Sequence, residues 1–339
     1  MASLAGIISQ HGKIDINGAK HMGRMLNLMN YRGPDNMIIR SIPDSRGALG
    51  ANEITLAPDR TYCTSIEDPP YILFDGRLFN ERKNGQKDIE LFREMYEKYD
   101  QDCFKYLDGS FSCAIIEKDD EVILARDHVG ARPLFYGRNN GTFFFSSEMK
   151  ALKDYVQFNI EELPPGHIFS SRKGLRPFDA FLPDVPEPED LNDAAQKLRK
   201  LLIDAVKRRM DDVKAVSLSG GLDSSIVAAI AKEFNPNIRL FTGVVQKAPG
   251  PDLKNSKLMA DFLGLEHHIY EITEDDIKNF LPDAVWYLES FDEDCISGII
   301  SNYYVSKMVK KYSNAVLVGE GADELFGGYR MVLKNPKVK

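Results

Sequence analysis

The stretch Ser219-Gly-Gly-Leu-Asp-Ser-Ser225 decides the fold of the second half of this chain. It follows a short apolar run, Ala215 to Leu218, that is typical of a buried strand, and a helical pattern opens near Ser225. A glycine pair lets the backbone approach an anion closely, while serine hydroxyls and the free N–H groups of a helix start donate hydrogen bonds to it. The stretch therefore predicts a pyrophosphate-binding loop. It differs from the P-loop of kinases because the Gly-Lys-Ser/Thr signature is absent.

A second glycine-rich stretch, Gly319-Glu-Gly-Ala-Asp-Glu-Leu-Phe-Gly-Gly-Tyr329, follows a predicted strand over Ala315 to Val318. It places the carboxylates of Glu320, Asp323 and Glu324 after the end of a strand, where open α/β sheets bind ligands. Such carboxylates could hold Mg²⁺ or act as a base. Each stretch taken alone could equally be an ordinary turn or a helix cap. Two such loops at the ends of strands favour a binding site.

The patterns along the rest of the chain predict two domains. From Leu191 to Val318 strand-like and helical runs alternate, which predicts a parallel sheet covered by helices. Before that, short β-rich runs recur between Gly, Asn and Asp, with helices over Gly18 to Asn30 and Asp88 to Tyr99. The run Phe181 to Glu189 contains three prolines and suits an extended linker. The expected organisation is a domain over residues 1–170, a linker over 171–189 with its boundary near residue 183, and a domain over 190–339.

The composition is that of an ordinary globular protein, with 43% apolar and 28% charged residues among 339. This length favours two domains of roughly 100 to 200 residues each. A net charge of −8 argues against a nucleic-acid partner bound through a general basic surface. The four cysteines lack zinc or disulfide spacing, and Cys63 and Cys103 are expected to be ordinary buried thiols. Neither a signal peptide nor a membrane span is predicted, so we expect a cytoplasmic protein.

Further motifs run nearly from end to end: Arg32-Gly-Pro-Asp35, Ala125-Arg-Asp-His-Val-Gly130, Pro133-Leu-Phe-Tyr-Gly137, Ser147-Glu-Met-Lys-Ala151, Gly250-Pro-Asp-Leu253 and Glu289-Ser-Phe-Asp292. With the two glycine-rich stretches, they resemble the glutamine-dependent asparagine synthetases, a family that also includes β-lactam synthetases. The resemblance implies an α/β protein of two domains. The first would be an αββα glutaminase-type sandwich, of the type 2 glutamine amidotransferases. The second would be an adenine-nucleotide α-hydrolase-like parallel sheet with helices on both faces.

The resemblance also implies a reaction and residues that carry it. In the family, the second domain activates a carboxylate with ATP as an acyl-adenylate, releases pyrophosphate and lets an amine attack the adenylate. The pyrophosphate would be held by Ser219, Gly220, Gly221, Asp223, Ser224 and Ser225. Backbone groups of Leu218, Gly243 and Gly319 would border the nucleotide. Asp223 and Asp323 would bind Mg²⁺, and Glu320 would be the general base at the attacking amine.

The first domain departs from the family pattern. A glutaminase of this type begins with a cysteine that attacks the glutamine amide, its own α-amino group serving as the base. Here Cys-Gly-Ile is replaced by Ala5-Gly6-Ile7, and four residues precede Ala5. The family's Asn-Gly-Glu reads Asp75-Gly76-Arg77, and an ionised Asp75 would repel the oxyanion that the asparagine amide stabilises. We expect an inactive, vestigial glutamine site. Its residues are Ala5, Arg32, Asp75, Gly76 and Asp88, with Arg32 and Asp88 standing where the family binds the substrate carboxylate and amino group.

The second domain is expected to be short. The sequence ends ten residues after Tyr329, whereas the family continues into helices that carry an Arg-Val-Pro-Phe-Leu-Asp segment and a lysine placed against the adenylate. One wall of the site would then have to come from another chain, either a homo-oligomer partner or a second subunit. The leading hypothesis is an ATP-dependent amide ligase that acts on aspartate or a similar carboxylate with ammonia or another amine. The alternatives are a β-lactam synthetase-like ligase of a specialised substrate and a non-catalytic, nucleotide-binding regulatory or partner subunit.

Overall fold

The computed structural model describes residues 2–9, 18–57, 60–61, 69–178, 190–211, 213–247 and 250–328. The chain divides into two compact units, Met1–Pro186 and Glu187–Lys339. Most of the predicted linker, with its boundary near residue 183, lies outside the described residues. Residues Gly174–Pro177, assigned from the sequence to the linker, form an edge strand of the first unit, because they pair with a neighbouring strand over His167–Ser170.

The first unit contains two antiparallel sheets. Its strands are β1 (Ser3–Ser9), β2 (Asn36–Ile42), β3 (Gly47–Glu53), β4 (Thr55–Ala57), β5 (Arg60–Thr61), β6 (Tyr71–Leu78), β7 (Gly109–Ile116), β8 (Val122–Arg126), β9 (Phe135–Asn139), β10 (Thr142–Ser146), β11 (Glu161–Glu162), β12 (His167–Ser170) and β13 (Gly174–Pro177). One sheet has the order β11-β9-β10-β1-β3-β2, and the other has the order β13-β12-β8-β7-β6. Strands β4 and β5 form a separate two-stranded ribbon.

A helix covers the outer face of each sheet. Alternation along β1 sends Leu4 and Ile8 into the core between the sheets, and Ala5 and Ile7 toward helix α1 (Gly18–Leu28). On the other sheet, helix α2 (Asp88–Tyr99) buries an apolar stripe that includes Phe92. Burial of each such large side chain stabilises the fold by about 1.5–3 kcal/mol. These four layers confirm the predicted αββα sandwich, and α2 has the predicted bounds.

The second unit alternates strands and helices. Its elements are α3 (Leu191–Lys207), β14 (Ala215–Ser217), α4 (Leu222–Phe234), β15 (Arg239–Val245), α5 (Asp252–Leu263), β16 (His267–Ile272), α6 (Glu274–Leu288), α7 (Glu293–Val309) and α8 (Ala322–Phe326). Strands β14, β15 and β16 pair in parallel in that order. The predicted strand over Ala315 to Val318 is reduced to a parallel bridge between Leu317 and Val216, held by two backbone hydrogen bonds.

Helices cover both faces of this sheet. Leu240 of β15 packs with Ala228 of α4 and Ala260 of α5 on one face, while Phe241 packs with Val305 of α7 on the other. The parallel sheet and its two helical layers confirm the predicted fold class. After β16 the chain crosses back through α6 and α7 and places residue 317 on the side of β14 away from β15. The strand order therefore reverses at β14, which is the position where doubly wound sheets open a crevice.

Within the described ranges, no helix combines the length and the apolar character that a membrane crossing requires.

Candidate functional site

The first glycine-rich stretch forms a tight loop between β14 and α4. Gly220 has a φ of 80°, and a Cβ atom there would lie 2.4 Å from the backbone nitrogen of Ser256 in α5. Helix α4 begins at Leu222, earlier than the predicted opening near Ser225, because Gly221 takes the extended conformation of an N-cap. The Ser219 hydroxyl lies 3.0 Å from the Ser224 hydroxyl and accepts the Gly221 N–H at 3.2 Å. The loop is thus closed by its own serines at the N-terminus of a helix.

The second glycine-rich stretch packs directly on the first. A Cβ atom on Gly319 would lie 2.8 Å from the backbone nitrogen of Ser224 and 3.1 Å from the carbonyl carbon of Asp223. Gly321 then turns the chain with a φ of 92° and precedes α8, whose first turn carries Asp323 and Glu324. Only a residue without a side chain allows this approach at position 319, so the two loops meet backbone to backbone.

A cleft of about 230 Å³ opens between these loops at the carboxyl ends of β14 and β15. Its lining residues are Ser217, Leu218, Ser219, Asp223, Ser224, Thr242, Gly243, Asp252, Ser301, Asn302, Val305, Val318, Gly319, Glu320, Gly321, Asp323 and Glu324. The cleft lies at the reversal of strand order around β14, the usual ligand position in sheets of this kind.

Most of the residues predicted for nucleotide, metal and base line this cleft. They are Leu218, Ser219, Asp223, Ser224, Gly243, Gly319, Glu320 and Asp323. Gly220, Gly221 and Ser225 do not line it. Gly220 is turned against α5, Gly221 caps α4, and the Ser225 N–H donates to the Gly221 carbonyl at 3.2 Å. These three residues shape the loop and leave the contact surface to their neighbours.

Several lining residues were not predicted from the sequence. Asp252 could have been predicted from the sequence, because it belongs to the Gly250-Pro-Asp-Leu253 motif. Ser301 and Asn302 lie in the middle of α7 without a motif of their own. Packing brings them to the cleft, since a Cβ atom on Gly243 would lie 3.1 Å from the Ser301 hydroxyl. Asp292 of the quoted motifs serves instead as the N-cap of α7 and accepts the Cys295 N–H at 2.9 Å.

The cleft is strongly acidic. Five of its lining residues carry carboxylates: Asp223, Asp252, Glu320, Asp323 and Glu324. None of the described lining residues is Lys, Arg or His. In the part of the chain that the structure describes, no group of three or more His, Cys, Asp or Glu side chains is arranged to hold a metal ion unaided. Magnesium is usually held by one or two carboxylates together with phosphate oxygens of a substrate, and this donor set suits an ion that arrives with a polyphosphate.

In the first unit, two residues of the predicted glutamine site bond to the chain itself. The peptide groups of Ala2, a residue with 1% exposure, lie between Arg32 and Asp75. The Ala2 N–H donates to Asp75 Oδ1 at 3.0 Å, and Arg32 Nε donates to the Ala2 carbonyl at 3.0 Å. Arg32 also forms an ion pair with Asp75 at 3.4 Å. Two of the residues predicted for the glutamine site, Arg32 and Asp75, are therefore already engaged with residue 2.

The same arginine belongs to a larger buried network. Arg32 pairs with Glu148 at 3.2 Å, and Glu148 pairs with Lys150 at 2.9 Å. The side chains of these residues and of Asp75 are at most 7% exposed. Two cations and two anions balance each other, and the Tyr31 hydroxyl donates to Glu148 at 2.5 Å. This balance allows four ionisable groups to be buried together.

The other predicted residues of this site have structural contacts. Ala5 lies in β1 and packs in the core beneath α1. Gly76 follows Asp75 in β6, and a Cβ atom there would lie 2.6 Å from the Ser110 carbonyl oxygen. Asp88 starts α2, accepts the Leu78 N–H at 2.9 Å and pairs with Arg82 at 2.9 Å.

The two described cysteines of the first unit, Cys103 and Cys113, are poor substitutes for a cysteine at position 5. Burial, together with Asp100 and Asp102, raises the pKa of the Cys103 thiol to about 12. Burial also raises the pKa of the Cys113 thiol well above its usual value. Both thiols are therefore protonated at neutral pH, and the thiolate is the reactive form. Cys63 lies outside the described residues.

Comparisons with protein families agree with both units. Residues 197–339 match the family model for asparagine synthase, and residues 74–154 match that for a glutamine amidotransferase domain. The glutamine-hydrolysing asparagine synthetase 1 of Arabidopsis thaliana is 34% identical over 372 residues, covering 99% of this chain and 62% of that protein. The corresponding enzyme of Sandersonia aurantiaca is 34% identical, covering 98% of this chain and 68% of its own length. The chain spans about three fifths of the length of several plant relatives that it matches.

Solved structures also match parts of this chain, at lower sequence identity. A glutamine phosphoribosylpyrophosphate amidotransferase from B. subtilis, in complex with ADP and GMP, is 14% identical with a TM-score of 0.43, covering 79% of this chain and 65% of that one. An NH3-dependent NAD synthetase from Campylobacter jejuni is 20% identical with a TM-score of 0.32, covering 40% of this chain and 60% of that one.

Replacement of Gly319 by alanine should destabilise the second unit by about 1–3 kcal/mol, because the new methyl group meets backbone atoms of α4 that cannot move aside easily. The matched control is Gly298→Ala in α7, where a Cβ atom meets open space and the change should be favourable by up to about 1 kcal/mol. Urea unfolding followed by the fluorescence of Trp286, the single tryptophan of the chain, reports on this unit. Equal stabilities of the two variants would contradict the close contact.

Replacement of Arg32 by methionine should lower the free energy of unfolding of the first unit by about 3–5 kcal/mol, because the buried carboxylates then lose a counter-charge. The control is Arg172→Met. Arg172 is 51% exposed and pairs with Asp119, so its loss should cost less than about 1 kcal/mol. Amide hydrogen exchange in β1 and β3 measures both effects. Similar losses in the two variants would show that the network contributes no more than a surface ion pair.

Proposed function

The chain belongs to the family of glutamine-hydrolysing asparagine synthetases, and from this premise we propose that its second unit is an ATP-dependent carbon–nitrogen ligase. The observation that carries the proposal is the meeting of the two glycine-rich loops in one cleft, where Gly319 packs on the helix start that follows the phosphate loop. Because the chain spans only part of the length of its relatives, the activity, substrates and partners of those enzymes are proposals for this protein.

The proposed reaction has two steps. A carboxylate oxygen of aspartate or a similar acid attacks the α-phosphorus of ATP, forming an acyl-adenylate as the bond to pyrophosphate breaks. Ammonia or another amine then attacks the acyl carbon, the amide forms and AMP leaves. The hydroxyls of Ser219 and Ser224 and the first N–H groups of α4 are suited to hold the pyrophosphate. Backbone groups of Leu218, Gly243 and Gly319 border the nucleotide in this proposal.

Magnesium is the cofactor that this proposal requires. Asp223 and Asp323 both line the cleft, and they would hold the ion together with phosphate oxygens. When bound, Mg²⁺ would neutralise the charge that develops on the departing pyrophosphate. The five carboxylates of the cleft support this requirement, because they would repel a polyphosphate that arrives without a cation.

Glu320 is the proposed general base. It lies in the loop between Gly319 and Gly321 and lines the cleft. A carboxylate at this position would take the proton that the attacking amine loses when it forms the amide. The acidic walls also favour the nitrogen donor, since ammonia at neutral pH is mostly the ammonium cation and is attracted to them.

The proposed nitrogen source is ammonia or an amine from outside the first unit. Ala5 provides no nucleophile, and the peptide of Ala2 already occupies Arg32 and Asp75. The proposed product assigns the protein to amino-acid biosynthesis. Cytoplasmic location and the assembly state stay predictions from the sequence.

One observation favours the second candidate, a nucleotide-binding partner subunit. Apolar side chains within two positions of lining residues are exposed to solvent: Leu222 by 74%, Leu325 by 70% and Phe326 by 62%. Exposed apolar groups beside a polar cleft are typical of a surface that another protein covers.

A screen of carboxylic acids for ATP–pyrophosphate exchange separates the two candidates. We expect one acid, with aspartate tested first, to support exchange by the wild-type protein. Glu320→Gln should retain that exchange and lose amide formation by about 10²–10⁴-fold, because the first step needs no base at the amine. The control is Asp275→Asn, an exposed carboxylate of α6, which should leave both steps unchanged. Binding of ATP without exchange from any acid would favour the partner subunit and overturn the ligase.

Incubation of the purified protein with glutamine should release no glutamate above background, since Ala5 provides no nucleophile and the peptide of Ala2 is bonded to Arg32 and Asp75. The double variant Ala5→Cys with Asp75→Asn should remain inactive unless the residues before position 5 are removed, because the cysteine would otherwise lack a free α-amino group. Ammonia-dependent amide formation by the same preparation is the control. Release of glutamate coupled to amide formation would show that the first unit supplies nitrogen.

A further inference from the structure

Two hydrogen bonds link three residues in series and end at the start of the phosphate loop. Thr242 lies in β15 with 2% exposure, and its hydroxyl is 2.5 Å from the Leu218 carbonyl oxygen. The same hydroxyl is 2.8 Å from Nε2 of His267, at the start of β16. Leu218 and Thr242 line the cleft, whereas His267 lies behind them. These hydrogen bonds therefore connect a side chain outside the cleft to the residue that precedes Ser219.

The protons available on these three groups determine which of them donates each hydrogen bond. A threonine hydroxyl has one proton, and a carbonyl oxygen can only accept. The distance of 2.5 Å to the Leu218 carbonyl requires the hydroxyl proton of Thr242 to lie between these two oxygens. His267 Nε2 must then donate its own proton to the threonine oxygen. The imidazole is therefore a donor at Nε2, and the three groups point in one direction toward Leu218.

The surroundings of His267 favour an uncharged ring. Burial lowers the pKa of His267, and the nearby His268 and Lys257 lower it further, while Asp261 acts in the opposite sense. Lys257 and Asp261 belong to α5, the helix against which Gly220 is turned. The phosphate loop is thus backed by α5 and by the strand that carries Thr242.

The backbone N–H of Leu218 is also bonded to β15. It donates to the Phe241 carbonyl at 2.8 Å. With the carbonyl held by Thr242, both polar groups of this residue are bonded to consecutive residues of the neighbouring strand. The direction in which the chain leaves β14 toward Ser219 is therefore determined from β15.

We propose that His267, acting through Thr242, is a positioning residue that fixes the Leu218 carbonyl and thereby the phosphate loop. This inference rests on the proposed role of the cleft in nucleotide binding. His267 itself touches no substrate in this arrangement. Its contribution is to keep the threonine hydroxyl aimed at the carbonyl, so that the loop does not have to be ordered by the nucleotide.

Titration of the full chain with ATP and Mg²⁺ tests the proposal through two pairs of variants. Thr242→Val and His267→Leu each remove one of the hydrogen-bonding side chains. Each should weaken the binding of Mg²⁺–ATP by about 3–10-fold, the effect of one hydrogen bond. Thr242→Ser and His267→Gln retain a hydroxyl and an N–H donor, and they should bind like the wild type. The double variant Thr242→Val with His267→Leu should bind no more weakly than Thr242→Val alone, because both act through one contact.

Nitrogen NMR of the histidine rings gives a readout that needs no substitution. The ring of His267 should show the neutral tautomer protonated at Nε2, and the Nδ1-protonated tautomer would overturn the proposal. Wild-type affinity in His267→Leu, or additive losses in the double variant, would also overturn it. If the wild-type protein binds no Mg²⁺–ATP, the proposed function fails and this inference fails with it. Tight wild-type binding with unchanged variants removes the positioning role alone.

Discussion

The parallel bridge between Val216 and Leu317 is the interaction on which the candidate site depends. It attaches the segment after α7 to the side of β14 away from β15, and so creates the reversal of strand order. The two glycine-rich loops leave the sheet side by side for this reason, although they are almost a hundred residues apart in the chain. The bridge alone would not close the site. The missing side chain at Gly319 lets the second loop settle onto the backbone of α4.

Local patterns predicted the elements better than their contacts. Helix α2 has the predicted bounds because its apolar spacing coincides with the face that the fold buries. The predicted strand over Ala315 to Val318 is only a bridge at Leu317 in the structure. An apolar run does not reveal how many of its residues pair with a neighbouring strand. Ser301 and the pair of Thr242 and His267 could not be predicted at all. Their places depend on packing of α7 and on the register between β15 and β16.

The first unit shows the same division between what a sequence reveals and what it hides. The sequence itself shows that position 5 is alanine and not cysteine. It also shows that position 75 carries a carboxylate and not an amide. Neither tells which group binds to both Arg32 and Asp75. The answer, the peptide of Ala2, involves partners 30 and 73 residues away from it in the chain. The apolar clusters of the described part of this unit contain neither Arg32 nor Asp75, and Ala5 joins one of them as a small apolar side chain.

The buried network of Arg32, Asp75, Glu148 and Lys150 also has a consequence for the order in which the first unit folds. Two of its members, Arg32 and Asp75, hold the peptide of Ala2 next to the start of β1. These contacts are non-local, with partners 30 and 73 residues away from Ala2 in the chain. Because loop-closure entropy must be offset before non-local contacts form, the start of β1 should become ordered late in folding, after the segments that carry the charged groups have come together.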